Sequence, residues 1–341
     1  MCREGWSAAS RRASKEESPI SPALALPLFG LSLAVTLGAA ALFADRLDHV
    51  GPRVGLSEPL VGLLTALAAN SPNVSSALIA LADGRKQVSL GIVLGSNVFN
   101  LAAMVGASAV IAGVVHVTQR SLAIEGAVVL LATLIAGALI LGAIAAWVAV
   151  LAFLLVAIPY LVMLGRGRVH EGPAEARARD RAIASIPEVP DQAIWKVGAL
   201  IAVATTLIVL GSEGMVRTAL SLSGRLDLSS ALVGVTILAV VTSLPNAFTA
   251  VRLGITDRGT AMVSETLNSN TINVSVALMA PALIVGFGEA TGLLKFDVAW
   301  LTGMTVVALL VLARPGGAHR IGGALLVALY VAFAAVHVAH G

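Results

Sequence analysis

Two copies of one polar pattern lie inside otherwise apolar sequence. The first is Pro72-Asn73 followed by Gly95-Ser96-Asn97-Val98-Phe99-Asn100; the second is Pro245-Asn246 followed by Asn268-Ser269-Asn270-Thr271-Ile272-Asn273. Each runs 28 residues from the proline to the last asparagine. Amides in hydrocarbon are expensive unless they are paired or line a wet cavity. Two matched sets, one in each half of the chain, restrict the fold to one in which both halves build a single polar site. Aligned at the prolines, the copies are identical at 8 of 29 positions, and Pro, Asn, Ser, Asn and Asn are among them. Upstream, Leu60-Val61-Gly62 recurs as Leu232-Val233-Gly234.

The surrounding sequence is 57% hydrophobic and only 12% charged, where a soluble domain carries about 25% charge. The apolar residues form long runs of Ala, Leu and Val without dyad alternation, which reads as an all-α membrane protein and excludes an outer-membrane barrel. Ten spans are expected, near 22–43, 58–82, 88–115, 121–142, 145–165, 195–220, 229–253, 260–287, 296–313 and 320–338. Residues 1–19 form a polar tail that precedes the first membrane helix and does not read as a cleaved signal. A charged cytoplasmic segment, 166–194, separates a five-helix repeat at 20–165 from a second at 195–341. An odd number of spans per half turns the second half upside down in the membrane, so the repeats are inverted. With the N-terminus outside, the inner loops hold thirteen Lys and Arg and the outer loops five, which favours both termini outside a bacterial plasma membrane. The four basic residues of the tail argue the other way.

Several function classes drop out. Cys2 is the single cysteine, so no internal disulfide forms. The net charge of +3 resides in tails and loops and calls for no nucleic acid. There is no nucleophile–base pair, phosphate-binding glycine loop or metalloprotease motif, so an enzyme has no support. His116, His319, His337 and His340 lack metal-ligand spacing. No cofactor is expected. The expected partners are the lipid bilayer and inorganic cations; protein partners are not legible.

The prolines sit within spans, where they free backbone carbonyls. Just before them stand Asn70-Ser71 and Thr242-Ser243. Carbonyls, hydroxyls and amides at one depth offer neutral oxygens suited to a partly dehydrated cation. Ser96, Asn97 and Asn100 share a helix face, as do Glu265, Ser269 and Asn273, with Asn270 beside them. The cation-binding candidates are therefore Asn70, Ser71, Asn73, Ser96, Asn97, Asn100, Thr242, Ser243, Asn246, Ser269, Asn270 and Asn273. Glu265, an acid at membrane depth, is the proton-coupling candidate; its first-half counterpart is Ile92. The plainer reading is a packing kink with interhelical hydrogen bonds; it explains one copy more readily than two. Glu213 and Arg217, four apart, are expected to pair. Asp45, Glu58, Arg85, Asp227, Arg258 and Lys295 fall at or near span ends.

At these residues the chain resembles the cation/calcium exchanger superfamily, whose repeats read G-T-S-x-P-E and then G-S-N-x-x-N or G-S-N-x-x-D. The matching stretches are Val235–Asn246 (VTILAVVTSLPN) and Leu94–Asn100 (LGSNVFN), and Arg320–Tyr330 is similar to a further family segment. The resemblance implies two inverted five-helix halves, secondary-active cation antiport by alternating access, and ion ligands at Thr242, Ser243, Ser96, Ser269, Asn100 and Asn273. The sequence departs from the family at the charges. The two repeat glutamates fall at Asn73 and Asn246, the frequent aspartate falls at Asn273, and Ala69-Asn70 replaces the first Thr-Ser pair. A calcium site wants six to eight oxygens and formal negative charge. Amides keep the oxygen and remove the charge, so Na+ or another monovalent cation, exchanged for H+ or a second cation, fits better than Ca2+. A Na+/Ca2+ antiporter proper and a transport-inactive membrane subunit stay open as alternatives.

Overall fold

The fold was obtained as a computed structural model, which describes residues 21–50, 58–165, 194–223, 232–288 and 290–340. The polar tail and nearly all of the charged segment 166–194 lie outside the described residues. The first half contains α1 (Pro22–Val50), α2 (Glu58–Ala69), α3 (Ser71–Ala82), α4 (Lys86–Asn100), a π-helical turn π1 (Leu101–Ala107), α5 (Ser108–Ala112), α6 (Gln119–Ile140) and α7 (Ala146–Gly165). The second contains α8 (Ile194–Ser223), π2 (Val233–Leu238), α9 (Ala239–Ile255), α10 (Gly259–Val274), π3 (Ser275–Met279), α11 (Ala280–Ala282), α12 (Gly292–Leu312) and α13 (Arg320–His340).

Among the described residues, eight helices are long and apolar enough to cross a membrane. Two expected spans, α2–α3 and α10–π3–α11, are not among the eight. The first is broken at Asn70. The second is rich in Ser, Thr and Asn and is hidden inside protein: every residue of α10 except Ile272 is buried. Helices at the rim behave oppositely. On α7, Leu155 is 78% exposed and faces outward, as a lipid-contacting side chain should.

Contacts between distant loops fix the crossing parity. A two-residue strand β1 (Val114–Val115) pairs antiparallel with β2 (Ala318–His319), so those loops share one membrane face. The Lys86 ammonium donates to the Gly286 carbonyl, joining two further loops. Arg252 lies 3.7 Å from Asp45. Each link needs an even number of crossings between its partners, which holds when α2–α3 and α10–α11 each count as one.

The halves interlock through the duplicated glycines. A Cβ on Gly62 would come within 2.6 Å of both the Ala261 carbonyl and Ser264 Cβ on α10; one on Gly234 would meet the Val88 carbonyl at 2.9 Å on α4. The missing side chains let α2 press on α10 and π2 on α4. A bundle whose centre is α2–α3 and α4 from one half with α9 and α10 from the other results.

Candidate functional site

Asn70 stands where α2 gives way to α3, and its position follows from Pro72. Without an N–H, Pro72 leaves the Ala68 carbonyl without its helical donor. The Ser71 hydroxyl fills that gap, donating to Ala68 O at 2.5 Å. The chain passes the break nearly helical, with Asn70 N–H bonded to Ala66 O and the Asn70 side chain turned inward, fully buried. In the second half α9 runs as one helix through Pro245, and the irregular backbone lies about two turns upstream in π2. On the other element of each repeat the backbone also loosens in matched places. Asn100 immediately precedes π1, and Asn273 is the next-to-last residue of α10, with Val274 between it and π3. Single π turns within α-helices concentrate at functional sites.

Seven asparagines from both halves converge. Asn70 Nδ2 donates to Asn273 Oδ1 at 2.7 Å and to Ser269 O at 3.2 Å. Asn70 Oδ1 accepts from Asn73 and from Asn246, each at 2.9 Å. Asn73 also bonds the Ser243 hydroxyl at 3.1 Å. Asn97 and Asn270 embrace across the pseudo-twofold, each amide donating to the other's backbone carbonyl, at 3.1 and 3.0 Å. Asn100 donates to Asn270 Oδ1 at 3.0 Å, and its counterpart Asn273 donates to Asn97 Oδ1 at 2.8 Å. All are at most 1% exposed. The duplicated residues thus form one amide cluster that carries no formal charge.

The hydroxyl candidates divide. Ser243 joins the cluster. Ser269 is fully buried with its oxygen unpartnered, as are Oδ1 of Asn100 and Asn246; three acceptors are thus left over. Thr242 donates to Leu238 O at 2.7 Å and Ser71 to Ala68 O, both within their own helical runs. Ser96 reaches Ala239 O on the facing helix at 3.4 Å. Glu265 is fully buried and sits beside the cluster: the single hydroxyl proton of Thr249 can go to its Oε1 or to the Asn246 carbonyl at 3.0 Å. Glu213 and Arg217 pair at 2.7 Å on an exposed face.

Two buried polar groups have no place in the repeat pattern. Glu125 on α6, 2% exposed, accepts from Ser264 at 2.6 Å and from Tyr160 at 3.1 Å. Asp297 on α12 lies 2.9 Å from His337 on α13, so His337 is a buried partner of an acid and not a solvated terminal histidine. Glu125, Tyr160 and Asp297 each stand in an apolar stretch of sequence, and that was the available signal.

Comparison with known proteins agrees with this architecture. The family model described as sodium/calcium exchanger protein matches residues 24–165 and again 196–339, one copy per half. The chain is 22% identical over 321 residues to the putative antiporter CaxA of Alkalimonas amylolytica, covering 89% of this chain and 95% of that one. It is 26% identical over 280 residues to the inner membrane protein YrbG of Escherichia coli (strain K12), covering 77% of this chain and 80% of that one. Among solved structures, the sodium-calcium exchanger NCX_Mj soaked with Na+ and Sr2+ superposes with a TM-score of 0.71 at 20% identity, over 92% of this chain and 98% of that one. Two inverted halves, a shared buried polar centre and a family match over both repeats lead to one conclusion: the chain belongs to the sodium/calcium exchanger protein family.

Proposed function

We propose that this cation antiporter exchanges a monovalent cation, Na+ first, for H+ or a second cation by alternating access. One observation carries the reading: the duplicated residues of both halves meet in a single buried centre made of amides and hydroxyls, with no carboxylate inside it. Each amide can turn its oxygen or its nitrogen toward the centre. Without an ion most of the amide groups bond one another and Oδ1 of Asn100 and Asn246 are left over; with one bound, their oxygens turn inward. Neutral oxygens replace the hydration of a monovalent ion far more readily than that of a divalent one, whose dehydration needs formal charge nearby. Ca2+ is accordingly not the favoured substrate. Glu265, tied through Thr249 to the Asn246 backbone, is close enough to sense occupancy. Ion binding then biases the inward-open and outward-open states. We place the protein in the bacterial plasma membrane with both termini outside, on the distribution of Lys and Arg between loops.

The test is flux in liposomes holding the purified full-length protein, with radiolabelled Na+ and Ca2+ and a pH dye under imposed gradients. Na+ uptake driven by a pH or cation gradient is expected. Robust Ca2+ uptake overturns the ion assignment, and no flux of any cation overturns antiport. Glu265→Gln is expected to change the pH dependence of uptake; an unchanged profile removes Glu265 from coupling. The transport-inactive reading has one observation in its favour, the many hydrogen bonds between the amides, and the no-flux outcome would establish it.

A further inference from the structure

Glu125 lies outside the amide cluster and meets α10 at Ser264, next in sequence to Glu265. It is enclosed by α6, α7, α10 and the start of α2, with the Ser121 hydroxyl one turn earlier on α6 beside it, and its Oε2 is buried with no well-formed hydrogen bond among the described residues. Isolated ionised carboxylates are too costly to bury, so the group needs a positive ligand. None of the ion pairs among the described residues involves it. The charged and titratable groups on the surrounding elements are few. Arg120 is exposed near the start of α6, Tyr160 stands on α7, and Arg258 lies six residues before Ser264 on the α10 side. Glu265 is directed to Thr249, Glu58 opens α2, and α12 faces this region with Leu309, which meets Gly126.

The hydrogen-bond arithmetic around Glu125 is specific. Ser264 and Tyr160 each have one proton to donate, and each has two acceptors. Ser264 Oγ reaches Glu125 Oε1 at 2.6 Å or the Pro59 carbonyl at 2.9 Å. Tyr160 OH reaches Glu125 Oε1 at 3.1 Å or Asn268 Oδ1 at 3.2 Å. Asn268 Nδ2 steadies the set, donating to Tyr160 OH at 3.0 Å, to Ser264 O at 2.8 Å and to Ser264 Oγ at 3.2 Å. With Glu125 ionised, both hydroxyls turn to the carboxylate. With Glu125 protonated, its O–H donates to Ser264 Oγ, Ser264 turns to Pro59, and Tyr160 turns to Asn268. Oε1 keeps a hydrogen bond in both states by rotation of hydroxyl protons alone, without moving a heavy atom.

We propose that Glu125, with Tyr160, Ser264 and Asn268, is a reversible proton-binding site separate from the amide cluster. Ser264 and Asn268 belong to α10, which also carries Ser269, Asn270 and Asn273. Loading the proton therefore turns the Ser264 hydroxyl to the Pro59 carbonyl and so forms a hydrogen bond between α10 and α2, next to the elements that hold the cluster. The use of this proton in exchange rests on the antiport reading; its binding does not.

The experiment is infrared difference spectroscopy of the purified full-length protein in lipid, between acid and alkaline pH. A protonated-carboxyl C=O band that titrates is expected. It should vanish in Glu125→Gln, persist in Glu265→Gln and shift in Tyr160→Phe, which assigns it even if Glu125→Gln does not fold. No titrating band in the wild type, or a band that survives Glu125→Gln, overturns the proposal. So does a carboxylate band that responds to Na+ and not to pH, which makes this a cation site. A titrating band with no cation flux leaves this site standing and fails the antiport reading; Na+ flux without the band fails this site alone.

Discussion

Returning carboxylates to the amide cluster should change its ion. In Asn73→Asp/Asn246→Asp the substituted groups keep their size and gain charge. Both native amides reach the same atom, Asn70 Oδ1, at 2.9 Å, so an ion occupying that junction lies within about 4 Å of either new carboxylate. At that distance a unit charge pair is worth about 4 kcal/mol with an effective dielectric constant of about 20. A divalent ion gains that amount twice per carboxylate and a monovalent ion once. Each substitution therefore favours the divalent ion by about 4 kcal/mol, or on the order of 10³-fold in relative affinity. Desolvation of the carboxylates takes back part of it, so we expect a double variant in which Ca2+ binding rises at least tenfold relative to Na+. Scintillation proximity binding of radiolabelled Ca2+, competed with Na+, measures it. Wild type that already binds Ca2+ tightly, or a folded double variant with an unchanged Ca2+ to Na+ ratio, refutes the argument from missing charge.

Packing and topology give further expectations. Gly62→Val inserts a side chain where a Cβ already meets α10 at 2.6 Å; overpacking of this kind costs about 1–3 kcal/mol and should lower the midpoint of thermal unfolding in detergent, while Gly30→Val, with open space around it, should not. Removing one member of a buried ion pair costs about 3–5 kcal/mol. His337→Leu, which strands Asp297, should therefore lower that midpoint far more than His340→Leu at the exposed end of α13. In a Cys2→Ser background, Val114→Cys with His319→Cys should form a disulfide on mild oxidation, because the two residues are paired between β1 and β2; no crosslink would put the two loops on opposite faces.

Much of the fold was legible along the chain. The long apolar runs, the break in charge at 166–194 and the 28-residue spacing of the repeats point to two inverted halves because burial in lipid leaves only helices able to satisfy the backbone. The amides were legible too, since each repeat displays them at helical spacing. Their pairing was not. Nothing local shows that Asn70, present in only one half, is the hub to which Asn73, Asn246 and Asn273 bond, or that Ser71 and Thr242 spend their hydroxyls on their own helices. Both prolines lie within helical runs, but only the first stands at a helix break, at Asn70; α9 continues through Pro245 and the second repeat has its irregular backbone in π2.

The ordered apolar periods and the duplication are properties of neighbouring residues, and they settle membrane class, repeat number and the kind of atoms at the centre without reference to folding. Which polar side chain meets which is decided by the rotation and crossing of helices far apart in sequence. Ser264 and Glu125 are 139 residues apart, and Asn70 and Asn273 are 203 apart. Small residues at Gly62 and Gly234 let those helices approach, and the close approach turns scattered polar residues in an apolar chain into one neutral amide centre with Glu265 of α10 beside it and Glu125 of α6 against the same helix.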